Sequence, residues 1–404
     1  MNRGLSDNLG HLRLFLALSD MPSLTAVAAR AGLSQPAVTQ ALSVLEQRAG
    51  GPLFERRARG VLTARGRLLG GRIGRAFAVL DPALDDLGPR VRLIARAAQL
   101  RALCAVVAAG SFALAARTLG LRAPSLQRAV ATLEAEAGRR LFTRTPNGLH
   151  PSRAAETLAH AARLAFAELA QAEAELAELD GSTHGLIRVG ALPLARAAWL
   201  PRALAAFRQR RPGRAVAVIE GPYAELLAAL QRGEIDVMLG ALRDPVPMAD
   251  VVQEVVFHDR LALVAAPGHP ALSAPWSGMA ALMGADWVVP RSGAPGRTQF
   301  EALFAQAGLA PPMGVVEAGS ALILRELVVE AGYLGCISGA QVAADLRRGH
   351  LIRLPIGADL PARPIGITTR TAWVPTAVQA DLLACLHAAA PDDAKATGAV
   401  VPDG

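Results

Sequence analysis

The chain has 404 residues, 52% hydrophobic and 19% charged, with a net charge of +8. This is the composition of a folded protein with two or three cores, and it excludes disordered and fibrous classes. The charge is unevenly placed: residues 1–144 carry +12, residues 145–184 carry −4, and residues 185–404 are neutral. Arg supplies 41 of the 42 basic residues. Compositional bias accounts for that choice but not for the placement, so an anionic partner is expected for the N-terminal third. The apolar run at residues 12–18 is short and is followed by Asp20 with no small-residue cleavage site, so neither a secretory leader nor a membrane span is expected. Cys104, Cys336 and Cys385 are odd in number and form no metal or disulfide spacing, which fits a reducing cytoplasm.

Two early segments repeat each other. "LSQPAVTQALSVLEQRAGGPLF" occupies residues 33–54 and "LRAPSLQRAVATLEAEAGRRLF" residues 121–142. From Leu12 the copies align without a gap, pairing Arg13 with Arg101, Gly32 with Gly120, Leu45-Glu46 with Leu133-Glu134, and Leu53-Phe54 with Leu141-Phe142. Such self-similarity indicates duplication. Ser23 and Ser111 are placed to cap a short Ala-rich helix that Gly32 or Gly120 ends. Ser34 can cap the next helix, with Pro36 in its first turn. Val38, Leu42 and Leu45 then point inward, leaving Gln35, Thr39, Gln40 and Ser43 outward. A helix, a glycine turn and a second helix bearing short polar side chains fit the major groove, where Gln can bridge an adenine edge and Thr can meet a thymine methyl or a phosphate. "LFERRARGVLT" and "LFTRTPNGLH" read as hairpin wings with arginines over phosphates, Asn147-Gly148 being a tight turn. A small Ala-rich bundle that never touches DNA is the plainer alternative; the wings and the local charge favour DNA.

The stretch "LSQPAVTQALSVLEQRAGGPLFERRARGVLTARG" resembles the N-terminal winged helix of LysR-type transcriptional regulators, through its Ser-Gln-Pro-Ala opening, Leu-Glu pair and Leu-Phe-Glu-Arg wing. By position, the resemblance implies that Ser34, Gln35, Pro36, Thr39 and Gln40 face DNA, with Arg56 and Arg57 on the wing. The second copy keeps the scaffold but has Arg122-Ala123 in place of Ser34-Gln35, and it offers Ser125, Gln127, Arg128 and the wing residue Arg144. The first copy is therefore expected to supply sequence specificity, and the second to supply dimer geometry and phosphate contacts.

After the second copy, Leu158, Ala162, Ala165, Leu169, Ala172, Leu176 and Leu179 recur at alternating spacings of four and three, flanked by Glu168, Glu173, Glu175 and Glu178. This heptad seam predicts a dimerising helix between two copies of the chain. The LysR-type resemblance implies the same, with a tetramer as the larger assembly. The matching stretch after the first copy, Leu69, Ile73, Ala76 and Leu80, is interrupted by Gly70, Gly71 and Gly74 and closed by Pro82. It predicts a short, marginal helix unless that helix packs on something. "DPALDDLGPR" then reads as the connector between copies.

Strands alternate with helices from Leu186 onward: "LIRVG", "AVAVIE", "IDVMLG", "DWVVP", "MGVVEA", "YLGCIS" and "PIGITTR". The alternation predicts parallel sheets in two lobes, crossed near residues 257–263 and 354–364. Sites in such folds lie at the C-terminal ends of strands. That nominates Leu192, Pro193, Leu194, Ala241 and Leu242, then Arg291, Ser292 and Arg297 in "PRSGAPGR", and Ser320 before a helix. The Gly-rich turn is either an anion pocket or a solvated loop with ordinary caps, and Ser320 is first of all an N-cap. "EGPYAELLAALQRGEIDVMLGALRDP" and "GITTRTAWVPTAVQADLL" resemble the effector domain of the LysR-type branch that includes the galactose-binding-protein and protocatechuate-pathway regulators. The resemblance implies a type 2 periplasmic-binding fold and a small carboxylate or sugar effector.

The expected architecture is multidomain. Two all-α-rich winged helix-turn-helix domains (9–66 and 97–152) are separated by a short Gly-broken helix and connector (67–96). A long linker helix (153–182) leads to an α/β two-lobed, type 2 periplasmic-binding-protein-like domain at 185–390, with lobe I at 185–256 and 364–390 and lobe II at 257–354; a disordered tail (391–404) ends the chain. No HExxH, Walker loop, Cys/His cluster or GxSxG elbow occurs, so no enzyme, metal or cofactor is expected, and His258 and His269 read as surface or packing residues. The expected function is transcriptional regulation modulated by a small-molecule effector. Its partners are double-stranded DNA, that effector, a second copy of the chain and RNA polymerase, with no membrane. A transport solute-binding protein is disfavoured by the basic domains, and a non-specific architectural DNA binder with a vestigial solute-binding domain is the alternative.

Overall fold

The computed structural model describes residues 4–55, 60–146, 148–183, 185–272, 278–354 and 361–391. Arg56, Arg57, Asn147 and residues 392–404 of the expected tail therefore lie outside the described residues. The chain divides into two units, Met1–Gly185 and Leu186–Gly404.

In the N-terminal unit, α1 (Leu9–Asp20), α2 (Leu24–Ala31) and α3 (Gln35–Arg48) form the first head, and α4 (Ala64–Asp85) continues from it. A short α5 (Pro89–Ile94) leads to α6 (Ala97–Ala109), α7 (Phe112–Leu119) and α8 (Ala123–Ala137) of the second head. Its wing is an antiparallel hairpin of β1 (Phe142–Thr145) and β2 (Gly148–Pro151), followed by α9 (Arg153–Leu179). Ser23 accepts the Ala26 amide and Ser111 the Leu114 amide, while Gly32 and Gly120 both take φ 64° to end α2 and α7, a backbone that L side chains rarely adopt. The repeated glutamate is a wing clamp. Glu46 accepts the Leu53 amide at 2.9 Å, and Glu134 accepts the Leu141 and Phe142 amides at 2.6 and 3.1 Å.

Two expectations are corrected together. The helix after the first head is not short: α4 runs for 22 residues, straight through Pro82. It packs along the 27-residue α9, and the pairing is antiparallel, because Arg65 meets Asp180 while Arg75 meets Glu168. Leu158, Ala162, Ala165, Leu169, Ala172 and Leu176 are all buried within the single chain, as are Leu69, Ile73, Ala76 and Leu80 of α4. The seam expected to join two copies of the chain is thus closed by α4 of the same chain, and Leu179, 52% exposed, lies outside it. A heptad stripe specifies that a helix must be covered, not which helix covers it, and here the covering helix is tethered at high effective concentration. Each Leu or Ile so buried contributes about 1.5–3 kcal/mol, and one core runs from Leu5 to Leu176 through both heads. Gly66 is required for this path, since a Cβ there would lie 2.1 Å from the Leu53 carbonyl oxygen.

The C-terminal unit begins with β3 (Leu186–Ala191), α10 (Pro193–Ala197), α11 (Trp199–Arg210), β4 (Ala215–Glu220), α12 (Tyr223–Gln231), β5 (Val237–Ala241) and β6 (Val251–Asp259). The chain then crosses to a second lobe comprising β7 (Leu261–Ala265), β8 (Trp287–Val289), α13 (Pro295–Gln306), β9 (Val316–Glu317), α14 (Ala321–Ala331), β10 (Leu334–Ser338), α15 (Gly339–Arg348) and β11 (Ile352–Arg353). It returns for β12 (Arg363–Arg370) and α16 (Ala377–Ala388). The sheets, ordered β4-β3-β5-β12-β6 and β11-β7-β10-β8-β9, are mixed rather than parallel. The strands β3, β4 and β5 are mutually parallel, as are β8, β9 and β10, but β12 runs antiparallel to β5 and β6, and β7 antiparallel to β10 and β11. Parallel neighbours need a helical crossover, and strands arriving from the other lobe have none. Phe257, His258 and Asp259 belong to β6 and so to lobe I rather than lobe II. Among the described residues no single helix is long and apolar enough to cross a membrane.

Candidate DNA-reading heads and effector cleft

In the first head, Val38, Ala41 and Leu45 bury one face of α3, while Ser34, Gln35, Pro36, Thr39, Gln40 and Ser43 are exposed. Ser34 accepts the Ala37 amide at 3.4 Å, so its hydroxyl caps the helix. Gln35 Nε2 donates to Thr25 Oγ1 at 2.5 Å, and Thr39 Oγ1 donates to the Gln35 carbonyl at 3.1 Å; both hold the face in place. In the second head Leu126, Val130 and Leu133 are buried, and Arg122, Ser125, Gln127 and Arg128 are exposed, with Arg144 exposed on β1. Arg122 stands at the N-cap and makes no side-chain cap bond. One head therefore offers a polar, uncharged face on a capped helix, and the other a cationic face on an uncapped one.

In the C-terminal unit a cleft of ≈ 630 Å³ receives the strand ends of both lobes. Leu192, Pro193, Leu194, Ala241, Arg291, Ser292 and Ser320 line it. Leu242 and Arg297 do not, and both expectations are corrected. The Leu242 amide donates to the Pro364 carbonyl at 3.0 Å, extending the sheet. Arg297 is drawn to Glu301 and Glu317, 2.7 Å from each. The Gly-rich turn already serves a carboxylate of its own chain: the Ser292 amide donates to Glu317 at 3.2 Å, and that bond, with Arg297, holds the Glu317 carboxyl below its usual range. Ser320 caps α14 by accepting the Ile323 amide at 3.4 Å.

Further residues line the cleft beyond the named candidates: Arg243, from the turn after β5 that the sequence nominates, and Tyr223, Arg363 and Cys336, which it does not. Arg243 lies 4.6 Å over the Tyr223 ring, and its backbone is clamped by Gln253 at 2.9 and 2.8 Å. The Tyr223 hydroxyl is buried with no hydrogen-bond partner among the described residues. Burial pushes its pKa up, and the Arg243 guanidinium partly offsets this. Arg363 donates to Asp259 at 2.9 and 3.1 Å, and Asp259, 4% exposed, also accepts from Ser338 Oγ at 2.8 Å and the Ala340 amide at 3.1 Å. Asp259 ends β6 and Arg363 begins β12, so this ion pair ties the two crossings together. The charged residues in "HDRL" and "PARPI" at the crossings were a usable signal; Arg243 directly follows the nominated Ala241 and Leu242, whereas Tyr223 leaves none. Cys336 also lines the cleft, but burial pushes its thiol up to about 12, so it is no nucleophile. His269 bonds the Gly332 carbonyl and the Ala271 amide, each at 3.0 Å, a packing role.

Two winged heads joined to a two-lobed, cleft-bearing domain define a helix-turn-helix regulator with a ligand-binding module. Residues 180–391 match the LysR substrate binding domain, and residues 9–67 and 97–156 each match the bacterial regulatory helix-turn-helix protein, lysR family. The chain belongs to the LysR family of bacterial transcriptional regulators. It is 33% identical over 384 residues to the HTH-type transcriptional regulator GalR of Pseudomonas putida, spanning 94% of this chain and 96% of that one. Over 276 residues it is 34% identical to the uncharacterized HTH-type transcriptional regulator YdcI of Escherichia coli, spanning 68% and 89%. Its fold is shared by a full-length OxyR variant from Pseudomonas aeruginosa (TM-score 0.52, 20% identity) and by LysG from Corynebacterium glutamicum with bound effector Arg (0.51, 21%), each covering 72% of this chain and 96% of the other. The protein is a DNA-binding transcription regulator with an effector-binding domain, not an enzyme.

Proposed function

We propose that the cleft takes a small anionic effector, such as a carboxylate, and that its binding adjusts how the heads engage operator DNA in the cytoplasm, α3 reading bases and α8 holding phosphates. The observation that carries the effector class is the convergence of Arg243, Arg291 and Arg363 on one cleft beside the unpartnered Tyr223 hydroxyl. Guanidinium groups recognise carboxylates with two parallel hydrogen bonds, and few convergent polar groups suffice to orient a small ligand. An anion at Arg363 would compete with Asp259 at the crossings, which couples occupancy to the geometry of the lobes.

The test is a thermal-shift series with small mono- and dicarboxylates and neutral sugars on the wild type, Arg243→Ala and Arg291→Ala. A carboxylate should raise the wild-type midpoint by preferential binding to the folded state. Both variants should lose that shift while keeping operator affinity within a few-fold of wild type. A neutral sugar that shifted all three proteins equally would refute the anion class.

A further inference from the structure

The interface between α4 and α9 is charge-coded. Arg72 of α4 is 2% exposed, and it donates to Glu175 at 2.8 and 2.9 Å, to Glu168 at 3.0 Å and to Gln171 at 2.5 Å, all on α9. Glu168 also accepts from Arg75 at 3.1 Å, and Arg65 pairs with Asp180 at the far end. Thr63 caps α4 and Ser152 caps α9 in the same way. With those caps superposed, Arg72 falls on Ala161 and Arg65 on Ala154, so α9 lacks both cations. In the reverse direction, Glu168, Gln171 and Glu175 fall on Val79, Pro82 and Asp86, and Asp86 is engaged by Arg139. Two α9 helices from different chains would therefore bury glutamates against alanine, and two α4 helices would set Arg72 against Val79, Pro82 and an Asp86 that Arg139 already engages. An unpaired buried charge is strongly destabilising, whereas in the α4–α9 pair Arg72, Arg75 and Arg65 each meet an acidic partner on α9 or at its end.

We infer that one chain is a complete two-headed DNA reader: α4 and α9 pair within the chain, Arg72 with its acidic partners selecting that pairing over any pairing of like helices between chains, so that two unlike recognition helices meet one duplex. A paired regulator of two identical heads reads a palindrome. This chain, with Gln35, Thr39 and Gln40 on one head and Arg122, Gln127 and Arg128 on the other, reads an asymmetric site. The inference rests on the reading that α3 and α8 both face DNA, so pairing and DNA binding are measured separately.

The experiment uses full-length chains: Arg72→Glu; Glu168→Arg with Glu175→Arg; all three changes in one chain; and the first two variants co-expressed with different tags. The unfolding midpoint of the N-terminal unit reports pairing, and titration of operator DNA reports reading. Arg72→Glu should lower the midpoint by about 10 °C and weaken operator binding at least about tenfold. The triple change in one chain should restore both, and co-expression should restore neither. Restoration by co-expression would overturn the proposal by placing the pairing between chains, and an unchanged midpoint for Arg72→Glu would overturn it by removing the lock. A restored midpoint without restored operator binding would keep the pairing and refute the reading of one duplex by both heads.

Discussion

The first and second heads share one scaffold and differ in what surrounds it. Both keep the serine cap of the small helix, the φ 64° glycine and the glutamate that clamps the wing. They part at two places. The recognition helix α3 begins with a capping Ser34 where α8 begins with Arg122, and the long helix of the first head carries Arg65 and Arg72 where that of the second carries Ala154 and Ala161. The invariant positions hold each head's own fold, and the divergent ones face outward or face the other head. Duplication thus preserved the unit and altered its contacts, giving two complementary parts rather than two interchangeable ones.

The seam offers the most forceful way to break this comparison. Leu80 and Leu169 occupy equivalent places on α4 and α9 once the caps are superposed, and both are essentially fully buried. Either Leu80→Asp or Leu169→Asp should destabilise the N-terminal unit by about 3–5 kcal/mol without changing the number of chains per particle. Chemical unfolding and sedimentation check this together, and a Leu169→Asp protein that split into stable, fully folded single chains would return the seam to an interchain role.

Recognition is the next contrast. Gln35→Ala should cost about 1–3 kcal/mol of discrimination at one base pair, whereas Arg128→Ala should weaken operator and random DNA alike and lower the salt slope by about 1. Competition binding across single-base operator variants at several salt concentrations separates the two. Should Arg128→Ala relax specificity while Gln35→Ala does not, the roles of the heads are exchanged.

The smallest expected effect sharpens the contrast between the long helices. A Cβ on Gly74 of α4 would meet nothing within 4 Å, and the position is helical, so Gly74→Ala should stabilise the unit by about 0.5–1 kcal/mol. Gly66→Ala, with its 2.1 Å approach to the Leu53 carbonyl, should instead destabilise it. Thermal unfolding of the pair reads both signs.

Much of this molecule is legible in its sequence. The duplication, the capped helices, the polar outer face of α3 and the two-lobed α/β domain follow from local rules: which side chains cap, which glycines turn, and which apolar positions recur on one face. Those rules act over a few residues and so are written in the chain itself. What closes on what was decided only in three dimensions. The stripe on α9 announced a buried face, but α4, some ninety residues earlier, fills it; Gly70, Gly71, Gly74 and Pro82 of α4 read as a broken helix because propensity cannot register the packing that offsets them. Arg72 carries no signal in the sequence and Arg297 reads there as a cleft residue, yet one is sealed between helices and the other turns to Glu301 and Glu317. Asp259 and Arg363 stand far apart along the chain and become neighbours only because it crosses between the lobes twice. Local sequence fixes faces and ends, while the pairing of charges across those faces depends on which segments tertiary packing brings within reach.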